Sequence, residues 1–349
     1  VVVEPPVVVE PPVVVEPPVV VEPPVVVEPP VVVEPLQKVE EELLDFGGHF
    51  RGVYLSSDLA LERGSEDTIR SDIRLAHLHV QGRLAGTSVG FRLEQDFASQ
   101  ELEQAYFSLP LGEGGLQVGR FRSPFTVSNM RDEGTLFFLE RSRIGALFGE
   151  GRKGVQALGS SPSLNWAIAL QEGGDGIGQD LLTVARVTHD FLTPSELSDT
   201  PGARTSSASG SISASGFMDT SIEGSDGLAL DLRLSGEAHS LGVEVLFLGD
   251  HVYTGNGYAT EWLGKRRLAN LSPRSVPWAM QGAILILPRW EAGLRFQDSD
   301  NAARESRVDV ALSHHSLLGA LRWTGQYSQL RSDTRGDAGI LQLGLGMGF

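Results

Sequence analysis

The sequence predicts an all-β fold: a transmembrane antiparallel β-barrel of about sixteen strands, led by an extended, polyproline-II arm. Three observations lead there. The last nine residues put Leu341, Leu343, Leu345, Met347 and Phe349 on one strand face and Gln342, Gly344, Gly346 and Gly348 on the other. That is an apolar-out, small-or-polar-in repeat closing on an aromatic residue. The same period-2 alternation recurs from Phe46 onward, split by Gly, Ser, Asp and Pro clusters. The patterned region, residues 46–349, is too long for one soluble β-sandwich, yet it divides into roughly sixteen segments of the ~10-residue length that crosses a bilayer, plus turns.

Composition is compatible with this class. The chain is 41% hydrophobic and would pass for an ordinary soluble protein, as transmembrane barrels do because only alternate residues meet lipid. No run of 18 apolar residues occurs, which excludes a helical membrane protein. There are 41 Gly, suited to tight turns and crowded barrel interiors, and no Cys, which suits an oxidising envelope compartment. The net charge of -17 argues against a nucleic-acid partner. No signal peptide opens the chain, so an exported protein would be seen here in its mature form.

Residues 1–36 form the predicted arm. They repeat Val-Val-Val-Glu-Pro-Pro, and the last copy ends Glu34-Pro35-Leu36. The Pro-Pro pairs forbid both a helix and a continuous strand, which leaves extended or polyproline-II backbone. Six residues make two turns of that helix, so each hexad position returns to the same face, and residues 1–35 could span on the order of 100 Å. Two uses follow: a semi-rigid periplasmic spacer, or a docking ladder in which Val1, Val2, Val3, Glu4, Pro5, Pro6 and their repeats add short strands to the sheet edge of an envelope protein. Residues 37–45, with the acidic run Glu40–Glu42, form a junction before the barrel at 46–349.

Along the barrel, Leu164, Trp166, Ile168 and Leu170 alternate with Asn165, Ala167, Ala169 and Gln171, and Leu228, Leu230, Leu232 and Leu234 with Ala229, Asp231, Arg233 and Ser235. Val243, Val245 and Phe247 flank Glu244, Trp290 to Phe296 enclose Glu291 and Arg295, and Val308, Val310 and Leu312 alternate with Arg307 and Asp309. Sixteen strands would leave a water-filled lumen. The weakly patterned stretches Asp58–Asp67, Thr193–Ser209, Gly255–Pro277 and Ser299–Glu305 fit external loops, and Phe46, Tyr54, Trp262, Trp278, Trp290, Tyr327 and Phe349 are candidates for interface girdles.

One stretch carries charge and punctuation together. Pro124 ends a strand just after Arg122, since proline cannot donate to a ladder. Arg120, Arg122, Arg131, Arg141 and Arg143 then gather around one loop, with Asp132, Glu133 and Glu140 opposing them and Arg152 and Lys153 following. Arginines around a narrow aperture favour anions. Two roles are open for them, pore lining and salt-bridge bracing, and one loop can serve both.

Gly119-Arg-Phe-Arg-Ser-Pro-Phe-Thr-Val-Ser-Asn129, followed by Leu136-Phe-Phe-Leu-Glu-Arg-Ser142, resembles the phosphate-selective porin O and P family through Gly119, Phe121, Arg122, Pro124, Phe125, Phe138, Glu140, Arg141 and Ser142. The resemblance implies an outer-membrane porin, a constriction loop folded inward over about 123–142, a homotrimer, and lipid and lipopolysaccharide as surroundings. The charge cluster and the motif together give the candidate pore-constriction and anion-binding residues Arg120, Arg122, Arg131, Glu140, Arg141 and Arg143. The chain departs from the family in having three Lys and acids that outnumber bases even without the six glutamates of the arm. A weakly selective diffusion pore fits that balance better than a strong anion ladder.

Other constellations carry less. His77 and His79 share a strand face, but no third metal ligand can be nominated, so no metal site and no cofactor are assigned. His314 and His315 point to opposite faces. Gly173–Gly178 reads as a hairpin turn rather than a nucleotide loop, and Ser206–Ser215 as loop running into strand. No nucleophile, base and acid can be placed together, so the chain is not read as an enzyme. The expected function is passive diffusion of small hydrophilic solutes, with anions and phosphate as candidate solutes, through a water-filled pore. The alternative is a barrel anchor whose repeat arm tethers an envelope partner.

Overall fold

The computed structural model describes residues 44–61, 64–146, 151–173, 180–192, 208–221, 225–250, 259–262, 265–268, 274–301, 304–316, 321–333 and 336–348. The hexad arm, the Glu40–Glu42 run and Phe349 lie outside them. Four strands precede the predicted loop: β1 (Leu44–Leu61), β2 (Gly64–Arg83), β3 (Gly90–Asp96) and β4 (Glu101–Leu111). β5 (Gly114–Arg122) leads into a short helix, α1 (Val127–Met130), and a 3-10 turn at Glu133–Thr135. Six strands follow: β6 (Gly151–Ser160), β7 (Leu164–Glu172), β8 (Leu181–Asp190), β9 (Ser209–Asp219), β10 (Ser225–Gly236) and β11 (His239–Leu248). A small hairpin, β12 (Ala259–Trp262) and β13 (Lys265–Leu268), precedes β14 (Trp278–Leu287), β15 (Trp290–Asp298), β16 (Ser306–His315), β17 (Leu321–Arg331) and β18 (Ala338–Gly348).

Among the described residues, β1–β11 and β14–β18 form one closed antiparallel barrel of sixteen strands, with β12 and β13 paired separately. Closure comes from β1 against β18, in register from His49 with Gly348 to Leu59 with Ala338. The terminal Leu-Gly-Leu-Gly repeat is therefore the closing seam. β1 begins at Leu44, inside the segment expected as a junction.

Burial is inverted relative to a soluble domain. On β10, Leu228 is 61% exposed and points outward while Asp231, 2% exposed, points inward. Trp166, Ile168, Leu294, Val310, Leu341 and Leu343 are exposed in the same way, and Glu244, Glu291, Arg295, Arg307 and Asp309 are buried. A surface of that kind is stable against hydrocarbon and costly in water. Trp290, His314 and Trp323 are consecutive cross-strand partners near one rim, with the Trp290 and His314 rings 4.7 Å apart. They form part of an aromatic belt. His315 turns the other way and meets Glu291 at 3.0 Å, as the alternation requires.

One loop expectation needs correction. Asp58–Asp67 is not a loop: Asp58 pairs with Asp67 and Leu59 with Glu66 in a ladder that runs to the β1–β2 tip. These strands hold 18 and 20 residues, well beyond the 9–11 that cross a bilayer, so lipid imposes no alternation on the tip. Thr193–Ser207 lies outside the described residues. The strand ends that flank it, Asp190 and Ser209, sit at the rim of the two-residue turns between β4 and β5, β10 and β11, and β14 and β15, not at the rim of the infolded loop.

The core of the molecule lies inside the barrel, on one side. Ala169, Leu182, Val184, Phe217, Ala229, Leu246, Leu248 and Ala279 turn inward and pack on Phe121, Phe125 and Ile144. The inner wall is therefore not uniformly charged, as the alternation alone suggested. The outward position of Leu230, midway along β10, yields a prediction. Leu230→Arg should destabilise the barrel in vesicles by about 2–4 kcal/mol, read from the urea midpoint of refolding into phosphatidylcholine bilayers.

Candidate functional site

The segment from Ser123 to Ala146 folds into the barrel. Pro124 follows the last β5 residue, and the Phe125 ring is fully buried at 5.1 Å, edge-on, from Phe217 of β9. Thr126 caps α1 by accepting from the Asn129 amide at 3.2 Å. Asp132 caps the 3-10 turn, accepting from Gly134 N at 2.9 Å. Both are helix-starting residues in the sequence, and each satisfies an amide that the lumen would otherwise strand.

The wall receives the loop through small residues. A Cβ on Gly293 of β15 would run into the Phe137 ring, and one on Gly344 of β18 would meet Leu139. Phe137 and Phe138 pack with Ala283 and Ala311. On β9, Ser215 donates to the Phe125 carbonyl at 2.5 Å, so the serine run of the sequence is part of this seat.

Charged wall residues bind the loop backbone. Arg51 donates to the Leu139 carbonyl at 3.1 Å and to the Glu133 carbonyl at 2.9 Å. Arg322 reaches the Leu136 carbonyl at 2.6 Å and Arg186 the Phe125 carbonyl at 2.6 Å. Arg295 donates to the Glu140 carbonyl at 2.8 Å, pairs with Asp309 at 2.7 Å, and lies 4.4 Å from the centre of the Phe138 ring. Glu244 accepts from the Ser128 amide at 2.7 Å and from its hydroxyl, while Arg233 pairs with Glu244 at 3.0 Å.

The residues singled out from sequence separate into two groups. Five stand on or beside the loop. Arg122 donates to the Arg131 carbonyl at 3.0 Å and pairs with Glu94 at 3.1 Å and Glu103 at 3.4 Å. Arg141 donates to the Arg131 carbonyl at 2.9 Å and pairs with Glu133 at 3.2 Å. Arg143 pairs with Glu305 at 2.8 Å and donates to Ser299 at 2.7 Å. Glu140 accepts from Arg307 at 2.8 Å and from Gln342 at 2.8 Å. Arg131 is buried and lines a small cavity with Arg233, Phe137 and Phe138. Arg120 stands in the β5–β6 ladder opposite Lys153, and its Nε is buried.

Glu140 is the firmest tie. Burial alone would push its carboxyl up, but Arg307 and Arg74, with hydrogen bonds from Arg307 and Gln342, hold it below the ordinary value of 4.5. Asp132 is likewise held below the usual aspartate range: burial raises it, and Arg122, His49 and the Gly134 amide outweigh that.

Sequence reasoning missed the partners that lie far along the chain. Arg51, Arg295, Arg307 and Arg322 hold the loop, and only their inward phase on a strand was readable. It also missed that Glu94 and Asp132 converge on His77.

A closed sixteen-strand barrel with an apolar exterior and an inward-folded loop defines a porin-type β-barrel. Residues 48–177 match the model of the family described as phosphate-selective porin O and P. That span contains both halves of the loop motif. No curated protein matches the chain. Among solved structures, the chain is similar to an anion-selective porin from Comamonas acidovorans (12% identity, 88% of this chain and 99% of that one, TM-score 0.57). It is also similar to the outer membrane channel DcaP of Acinetobacter baumannii (12%, 88% and 97%, TM-score 0.56) and to OmpT of Vibrio cholerae (10%, 88% and 97%, TM-score 0.54). At these identities the likeness establishes the barrel fold.

Two outcomes follow from the way the loop is seated. Gly344→Val should drive Leu139 off the wall at a cost of about 1–3 kcal/mol, seen as new protease cleavage between residues 123 and 146 in a barrel that still shows heat-modifiable migration. Because the Glu140 carboxyl titrates below its unfolded value, its contribution is present above pH 4.5 and is lost as pH falls below that value. The stability gap between wild type and Glu140→Gln in detergent should therefore close on acidification from pH 6 to pH 3.

Proposed function

We propose that the chain is an outer-membrane porin that lets small hydrophilic solutes, small anions among them, diffuse past the infolded loop. The observation that carries this reading is the inverted barrel with a loop fixed inside it: charges turned inward, apolar side chains outward, and a constriction braced by paired charges. The loop seats dry against the β7–β11 and β14 wall. Its other side, facing β1–β4, keeps water-accessible polar groups: the Glu133 side chain is 39% exposed, and His49, Arg92 and Asp132 are partly exposed. A solute passing there meets His49, Arg92, Asp132 and Glu133, with Arg122 and Arg141 paired to Glu94, Glu103 and Glu133 beneath them, a mixture that favours weak selectivity.

On this reading Arg120, Arg122, Arg131, Glu140, Arg141 and Arg143 belong to the constriction, some as bracing. The barrel would work as a homotrimer among outer-membrane lipid and lipopolysaccharide. β1 starts and β18 ends at the short-turn rim, which supports a periplasmic position for the arm. Its Val-Val-Val triplets, too apolar for an ideal solvated spacer, favour a second role as a tether for an envelope protein.

Single-channel current in planar bilayers under a salt gradient tests the proposal. Wild type should give discrete open-channel steps. Arg122→Ala with Arg141→Ala should shift the reversal potential toward cations, because Glu94, Glu103 and Glu133 lose their counter-charges. Silence from a barrel with heat-modifiable migration would leave the anchor reading, which deletion of residues 1–35 and loss of a co-purifying envelope protein would then test.

A further inference from the structure

Three ligand types converge where the infolded loop meets the β2–β3 wall. His77 of β2, Glu94 of β3 and Asp132 of the loop each place one donor atom within 4.8 Å of the others. They come from three separate segments. His77 is 5% exposed, and its Nδ1 is buried with no hydrogen-bond partner. An imidazole nitrogen left in that state costs free energy unless something occupies it. Its nearest acceptor, Glu94 Oε1, is 3.5 Å away, beyond ordinary N–H···O length. Two ligands of a tetrahedral ion with bonds of about 2.0–2.1 Å lie about 3.3–3.4 Å apart, so this separation suits two corners of a coordination shell better than it suits a hydrogen bond.

The surroundings match. Glu94 Oε2 is held by Arg92 at 2.6 Å and Gln104 at 2.9 Å, which orients the carboxylate as outer-shell partners of a ligand do. Arg122 donates to Oε1 at 3.1 Å, and a carboxylate oxygen retains a second lone pair beside such a bond. His49 Nε2, 3.8 Å from Asp132 Oδ2, stands where a fourth ligand could come from. Asp96 Oδ2 lies 3.8 Å from His77 Nε2 on the other side of the ring, longer than a hydrogen bond. The carboxylates Glu94, Asp96, Glu103, Asp132 and Glu133 outnumber Arg51, Arg92, Arg122 and Arg141 here, which leaves room for added positive charge.

We propose that His77, Glu94 and Asp132 bind one divalent ion of the Zn2+ class, joining the infolded loop to the barrel wall. Imidazole with carboxylates and no thiolate is a donor set for Zn2+ and its first-row neighbours rather than for Ca2+ or Mg2+.

The test is metal binding to the full chain in detergent, with Zn2+ by calorimetry and Co2+ by its visible absorption. Wild type should bind one equivalent of Zn2+ and show the intense bands of a tetrahedral Co2+ site. His77→Ala and Asp132→Asn should each weaken binding at least tenfold, and His79→Ala should leave it unchanged. Absence of binding, or equal loss in His79→Ala, would overturn the proposal. Asp132 lies in the loop, so its variant keeps the test decisive if His77→Ala fails to give a heat-modifiable barrel. Binding is read without current, so this outcome is independent of whether the barrel conducts.

Discussion

Everything in this molecule follows from the ladder between β1 and β18. In hydrocarbon no water is available to an unpaired amide or carbonyl, so a sheet can cross a bilayer only if it has no edge. The pairing of His49 with Gly348 through Leu59 with Ala338 removes the last edge. Once the ring is closed, each residue of a spanning strand faces either lipid or lumen, and the period-2 code is obligatory along the spanning stretch. It relaxes where the ladder runs past the membrane, which is why the β1–β2 tip looked like a loop in sequence.

Closure creates a second problem. A ring of sixteen strands encloses more space than its own side chains fill, and this chain fills it with a loop. The loop brings Phe125, Phe137, Phe138 and Leu139 into a polar compartment, where aromatic rings need an apolar or glycine-lined seat. The wall supplies one at Ala169, Ala229, Ala283, Gly293, Ala311 and Gly344. The glycines of the closing strand thus serve twice, as ladder residues in the seam and, at Gly344, as a socket. The arginines then satisfy the loop carbonyls that lack ladder partners. Arg295, Arg307, Asp309 and Glu140 form a continuous chain of charge from wall to loop. Removing one member of such a buried set strands the others and is costed at several kcal/mol.

The strands were legible because their signal is local: alternation needs only a few neighbours, and each segment carries its own. Pro124 and the Arg-rich motif marked the loop for the same reason. Gly293 and Gly344 read as generic small residues, since nothing near them in sequence names Phe137 or Leu139. His77 lacked a third ligand in the sequence for a like reason: Glu94 lies one hairpin away, and Asp132 is brought beside it only by the infolded segment.

The loop is held asymmetrically, and this ties fold to function. Its aromatic side is sealed dry against β7–β11 and β14, where hydrophobic burial and buried ion pairs make separation expensive. Its 3-10 turn, by contrast, meets β1–β4 through Asp132, Glu133 and His49, whose side chains still reach water. The turn is held there as well, by Arg51 to the Glu133 carbonyl at 2.9 Å and by Arg141 to the Glu133 carboxylate at 3.2 Å. On the proposed porin reading, the residues that would set charge in the passage are the ones that hold the turn.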